Sequence, residues 1–212
     1  MGITVSYRRI SKAQFLELQA NSQLALEFFY GEIGKIDRSE LLDLLLDLLI
    51  GETLPSEFSN EIKSSLSKQS SVYQDNFDLN KTWLSIEKEW QAIHYLLTGE
   101  VACDRSSAEP PLNQVIFGGT ETEFEATYGY VRYFTPDEVK EIAIAIAQLP
   151  EIDLRIRFNE REDLELYAQS EKWDEEDWEF LKRTLKYIHD FFAEAAKNNE
   201  IVLISGSSDL GV

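Results

Sequence analysis

The feature that most constrains this chain is a stripe of apolar residues, Leu79, Trp83, Ile86, Trp90, Ile93 and Leu97, at intervals of 4, 3, 4, 3 and 4. Such spacing returns to one side of an α-helix at each turn. It predicts a long helix over 79–99, stopped at Gly99, a residue type that readily adopts the left-handed helix cap. A helix carrying two tryptophans on its inner side needs a sizeable core to rest against. The composition provides for one, since 43% of the 212 residues are hydrophobic and 12% aromatic. That content also argues against wholesale disorder.

The remaining pattern mixes helices with short strands. Ile3 to Arg9 alternates and is rich in β-branched residues, which predicts a strand. Ser11 and Gln14 have capping-box spacing and predict a helix over 12–20. Ser39 can cap a broad apolar helix over 40–50, with Glu40, Asp43 and Asp47 as its polar seam and Gly51 as its stop. Residues 52–77 are the most irregular segment, with a short helix expected near 56–67. Short strands are expected over 113–117, ending at Gly118-Gly119, and over 127–134. Thr135-Pro136-Asp137-Glu138 combines an N-cap, a first-position proline and a box-closing glutamate, and opens a helix over 136–148. Asp174 with Glu175, Glu176 and Asp177 opens a last long helix whose stripe is Trp178, Leu181, Leu185, Ile188, Phe192 and Ala195. Ile201 to Ile204 reads as a closing strand. No repeat of solenoid length is present. The expected fold is α+β: one helix-dominated compact domain over 1–212, with a small sheet of about four short strands.

Charge narrows the function classes. The chain carries 39 Asp and Glu against 20 Lys and Arg, a net charge of −19. A surface of this sign repels phosphate backbones, so a nucleic-acid partner is not expected, whereas a basic protein partner is. Residues 1–38 are nearly neutral, and the negative charge is spread over the rest. The longest apolar run, 41–50, is interrupted by Asp43 and Asp47 and is shorter than the ~20 residues that span a bilayer, so no membrane partner is expected. The single cysteine, Cys103, precludes an intrachain disulfide and suits a reducing, cytoplasmic setting.

Few residues have the types and spacings that chemistry requires. His94 lies beside the Trp90–Ile93–Leu97 stripe and could act as a general base; a histidine hydrogen-bonded to backbone or a carboxylate is the plainer reading. A thiolate–imidazole pair of Cys103 with His94 lacks any supporting local signature. His94 and His189 have no second histidine at metal-ligand spacing, so no metal site is expected, and no cofactor is implied. Gly118-Gly119 is followed by acidic residues where a phosphate would lie, and reads as a turn. Arg132, within Tyr128-Gly129-Tyr130-Val131-Arg132-Tyr133, could clamp an anion or serve as an internal counter-ion.

The run Glu87-Lys88-Glu89-Trp90-Gln91-Ala92-Ile93-His94-Tyr95-Leu96-Leu97-Thr98-Gly99 resembles the signature of the YfbM-like bacterial family, a domain of unknown function. The likeness extends to Tyr7-Arg8-Arg9-Ile10-Ser11, to Pro111-Leu112 with Gly118-Gly119, and to Tyr128 through Val139. Leu166-Tyr167, Trp173 and Phe191 to Ala196 continue it, so it covers nearly the whole chain in order. Gln91 stands where the family often has histidine. The resemblance implies a bacterial cytosolic α+β protein and brings no established activity. Carried over by motif, Arg8, Lys88, Trp90, His94, Gly119 and Arg132 are candidate ligand- or partner-binding residues without assigned roles.

Three functions are consistent with these features. The first is a non-catalytic interaction module, immunity-like in kind, whose acidic surface meets a basic partner. The second is a small-molecule pocket walled by Trp90, His94 and Arg132. The third is a hydrolase-type enzyme with His94 and Arg132 as its catalytic groups. The balance favours a protein that is not an enzyme. The sequence does not define an oligomeric state.

Overall fold

The computed structural model describes residues 3–21, 24–25, 28, 82–103, 105–126, 129–160, 166 and 173–206. The chain divides into two units, Met1–Ala25 with Leu79–Val212, and Leu26–Asp78. All elements below belong to the first. The helices expected over 40–50 and 56–67, the irregular segment 52–77 and the stripe residue Leu79 lie outside the described residues.

Five strands make one antiparallel sheet: β1 (Val5–Ile10), β2 (Trp83–Glu87), β3 (Thr120–Ala126), β4 (Gly129–Phe134) and β5 (Ile201–Ser205). Their order across the sheet is β2-β1-β5-β4-β3. The first and last strands are therefore neighbours at its centre, in register from Ser6 opposite Ser205 to Ile10 opposite Ile201. Ile201 to Ile204 are all buried, as a continuous apolar run covered on both faces should be. Gly206 fixes how β5 ends. Its φ is +90°, and a Cβ there would lie 1.9 Å from the Thr4 carbonyl oxygen.

Six helices lie among the described residues: α1 (Lys12–Ala20), α2 (Trp90–Thr98), α3 (Gln114–Phe117), α4 (Pro136–Gln148), α5 (Glu151–Glu160) and α6 (Glu175–Lys197). Three begin at full capping boxes, in which side chain and backbone satisfy each other's orphan groups: Ser11 with Gln14, Thr135 with Glu138, and Asp174 with Asp177. The α6 stripe is buried as its spacing predicts. Its Phe191 and Phe192 pack on Tyr7 of β1, and Phe192 also meets Phe134 of β4. On the other sheet face, Phe15 of α1 stacks on Tyr133 at 4.6 Å. Phe158 of α5 lies 5.2 Å from both Trp173 and Trp178. The architecture is α+β and helix-dominated, with five strands rather than about four. None of the described helices is long and apolar enough to cross a membrane.

Two segments differ from the periodicity reading. The single helix expected over 79–99 is, where described, strand β2 followed by helix α2. Trp83 to Glu87 satisfies both periods: Trp83 and Ile86 fit a helix, whereas Leu84 and Ile86 alternate and are the buried pair. Pairing with β1 settles the choice, because it supplies the ladder. Glu87 then takes a φ of +43° and its carboxylate accepts from Ser85 Oγ at 2.6 Å, ending the strand before α2. The second segment, 113–117, is one helical turn rather than a strand. Its β-branched residues obey side chains reaching it from the sheet. The strand β3 was not expected: Thr122 and Phe124 turn inward, and Glu121, Glu123 and Glu125 are exposed.

Candidate functional site

Trp90 through Leu97 are all buried, so α2 has no polar outer side and must accommodate Gln91 and His94 internally. Gln91 Nε2 donates to the Ala102 carbonyl at 2.8 Å and to Cys103 Sγ at 3.3 Å. His94 is wholly buried. Its ring meets Phe117 edge to face at 4.7 Å, and Trp90, one turn earlier, meets the same ring at 6.3 Å. Its Nε2 lies 3.4 Å from Thr98 Oγ1 and 3.6 Å from Glu100 Oε2. Its Nδ1 is buried without a hydrogen-bond partner among the described residues. Burial pushes the imidazole pKa down to about 4, outweighing the upward pull of Glu100. His94 is therefore neutral at pH 7. The Glu100 carboxylate pKa is also lowered, to about 2, but by stabilisation of its charged form: the Ser106 and Ser107 side chains and the Ser107 N–H donate to it.

The four last carbonyls of a helix lack partners within it, and here α3 receives one for each. Gly118 N–H donates to Gln114 O at 2.9 Å, and Tyr7 Oη donates to Val115 O at 2.8 Å. Arg132 donates through Nη2 to Ile116 O at 2.9 Å and through Nη1 to Phe117 O at 2.6 Å. The cation also complements the negative end of the helix dipole. Burial lowers the Arg132 pKa from its usual value, and burial raises that of Tyr7. Gly119, at φ +93°, lets the chain pass close to this arginine: a Cβ there would be 3.1 Å from Arg132 Cβ. Helix α2 ends in the same way. Gly99 N–H donates to Tyr95 O, and Arg157 Nη1 donates to Leu96 O and Leu97 O at 2.6 and 2.7 Å.

Four of the six sequence candidates thus gather around α3: Trp90 and His94 on the Phe117 ring, Arg132 on its carbonyl, and Gly119 behind Arg132. The other two do not. Lys88 is exposed in the turn before α2. Arg8 alternates with Tyr7 and Arg9 along β1 and so faces the opposite side of the sheet, half-buried, where burial lowers its pKa. Cys103 is exposed, and its sulfur accepts from Gln91, while the imidazole faces Thr98 and Glu100. Half-buried His189 pairs with Asp190 at 3.1 Å. Among the described residues no group of three His, Cys, Asp or Glu could hold a metal ion. Sequence reasoning missed Tyr7, Glu100, Phe117 and Arg157. Tyr7 was a visible inward position of an alternating strand; the other three carry no local signal.

The arrangement defines a protein class: an antiparallel five-stranded α+β domain in which side chains of the sheet cap the short helix α3. The chain belongs to the family described as "Domain of unknown function (DUF1877)", which it matches over residues 1–205. Among solved structures it is similar in fold to YfbM from Escherichia coli, a protein of unknown function, with a TM-score of 0.55 and 15% identity. That likeness covers 95% of this chain and 98% of the other. No curated protein matches the chain.

Proposed function

We propose that this protein is a non-catalytic interaction module, of the kind an immunity protein represents, which presents carboxylates to a basic partner in the cytoplasm. The observation behind this reading is where the chemically capable side chains are spent. Arg132 is committed to two carbonyls, and His94 is buried and neutral. Neither faces solvent, whereas Glu121, Glu123 and Glu125 of the edge strand do. With a net charge of −19, the long-range field attracts cationic surfaces and speeds their encounter.

The test compares the protein with a Glu121→Gln/Glu123→Gln/Glu125→Gln variant as bait in a native lysate, at low and high salt. The expected result is a basic protein retained stoichiometrically at low salt, released by screening, and weakened by the variant. A partner held equally by both baits and insensitive to salt refutes the reading. A second reading, a small-ligand site, draws on the buried Nδ1 of His94. It predicts that a ligand raises the melting temperature and that His94→Ala removes the rise.

A further inference from the structure

The carboxylate of Glu100 is held as a bound ligand would be. Ser106 Oγ donates to Oε2, and Ser107 Oγ donates to Oε1 at 2.5 Å. Ser107 N–H reaches both oxygens, at 3.0 and 3.1 Å, and Ala108 N–H reaches Oε2 at 3.2 Å. Two consecutive backbone N–H groups turned on one anion form a concave receptor that needs no cation. Behind it stands the wholly buried imidazole of His94, its Nε2 3.6 Å from Oε2.

The occupant is separable from the receptor. Glu100 N–H donates to Thr98 Oγ1 at 3.1 Å, which anchors its backbone independently of its carboxylate. The Glu100 side chain remains 27% exposed, so rotation about its own bonds can carry the carboxylate into water. The donors all belong to residues 106–108 and stay behind when it leaves.

We propose that loop 106–108, backed by His94, is a carboxylate-binding site that Glu100 fills from within the chain, and that a small carboxylic acid displaces it. Donors engage both oxygens of a planar group, which suits a carboxylate better than a tetrahedral phosphate. The tethered occupant competes at high effective concentration, so the site opens only to ligand in excess. This site is independent of the acidic surface and does not rest on the interaction reading.

The chain has two histidines, His94 and His189, so ring NMR signals report the site with His189 as an internal reference. Acetate is titrated into wild type and Glu100→Ala at constant ionic strength, with chloride and inorganic phosphate as the other arms. The expected result is a saturable shift of the His94 signals, about tenfold or more tighter in the variant, with the same end point in wild type. Adding Ser106→Ala and Ser107→Ala should abolish it, and phosphate should not produce it. Glu100→Gln replaces Glu100→Ala if the latter does not fold. The proposal is overturned by His94 signals that do not respond in the folded variant, or by wild type that does not move at molar acetate. A response that survives loss of both serine hydroxyls, or that phosphate gives in place of acetate, also overturns it.

Discussion

His94 makes the stability of this protein depend on pH in a window that can be worked out from its surroundings. The imidazole has an ordinary pKa of 6.5 and is pushed down to about 4 in the folded chain. The unfolded chain therefore takes up a proton that the folded chain refuses. Stability from this group is complete above pH 6.5 and is lost as the pH falls toward 4. Linkage converts the gap into about 2.5 kcal/mol between pH 7.5 and 4.5, a large share of a typical domain's stability. The assay is denaturant unfolding of wild type and His94→Gln at several pH values across that window. All other groups titrate in both proteins, so the difference between the two curves isolates the imidazole. Wild type should lose about 2.5 kcal/mol more than the variant on acidification. The His94 ring signals of folded protein should titrate near pH 4. Parallel stability curves, or a ring midpoint near 6.5, would refute the claim that burial controls this histidine.

Glu100 titrates lower, so its contribution should be present above pH 4.5 and lost as the pH falls toward 2; Glu100→Gln should flatten acid unfolding in that range alone, as read by circular dichroism. Arg132→Lys keeps the charge but cannot cap two carbonyls in a plane, and should cost about 2–3 kcal/mol in denaturant unfolding. Gly206→Ala should cost on the order of 2–4 kcal/mol, since its Cβ would strike the Thr4 carbonyl oxygen. Thr135→Ala removes a cap on an exposed helix start and should cost about 1 kcal/mol in the same assay.

The starts of α1 and α4 were legible because a capping box is written within four residues and needs no tertiary partner, and that of α6 because acidic residues gather in its first turn. The last strand was legible because a continuous apolar run leaves few alternatives. By contrast, β2 and α3 are decided by distant groups. A five-residue window fits both periods until β1 lies beside it, and Val115-Ile116-Phe117 favours a strand until Tyr7 and Arg132 take its carbonyls. The site was half legible for the same reason. Trp90 and His94 could be grouped by helical spacing, but that both rest on Phe117 follows from packing. Arg132 was visible as a charge among aromatics, whereas its acceptors are backbone oxygens, which leave no trace in residue type.

The pairing of β1 with β5 also has a kinetic consequence. Ser6 and Ser205 share a hydrogen bond across 199 positions, so the middle of the sheet closes one of the longest loops this chain can form. Before β5 is available, the β1–β2 pair, itself long-range because Arg8 lies opposite Trp83, and the β3–β4 pair, close in sequence, are separate with nothing between them. A chain emerging from a ribosome must keep Tyr7 and Val131 from other partners until Ile201–Ser205 has been made. Folding should therefore be slow for the domain's size, as high contact order dictates, and late in synthesis. The hydrophobic strand that completes the sheet is also the last of its strands to arrive.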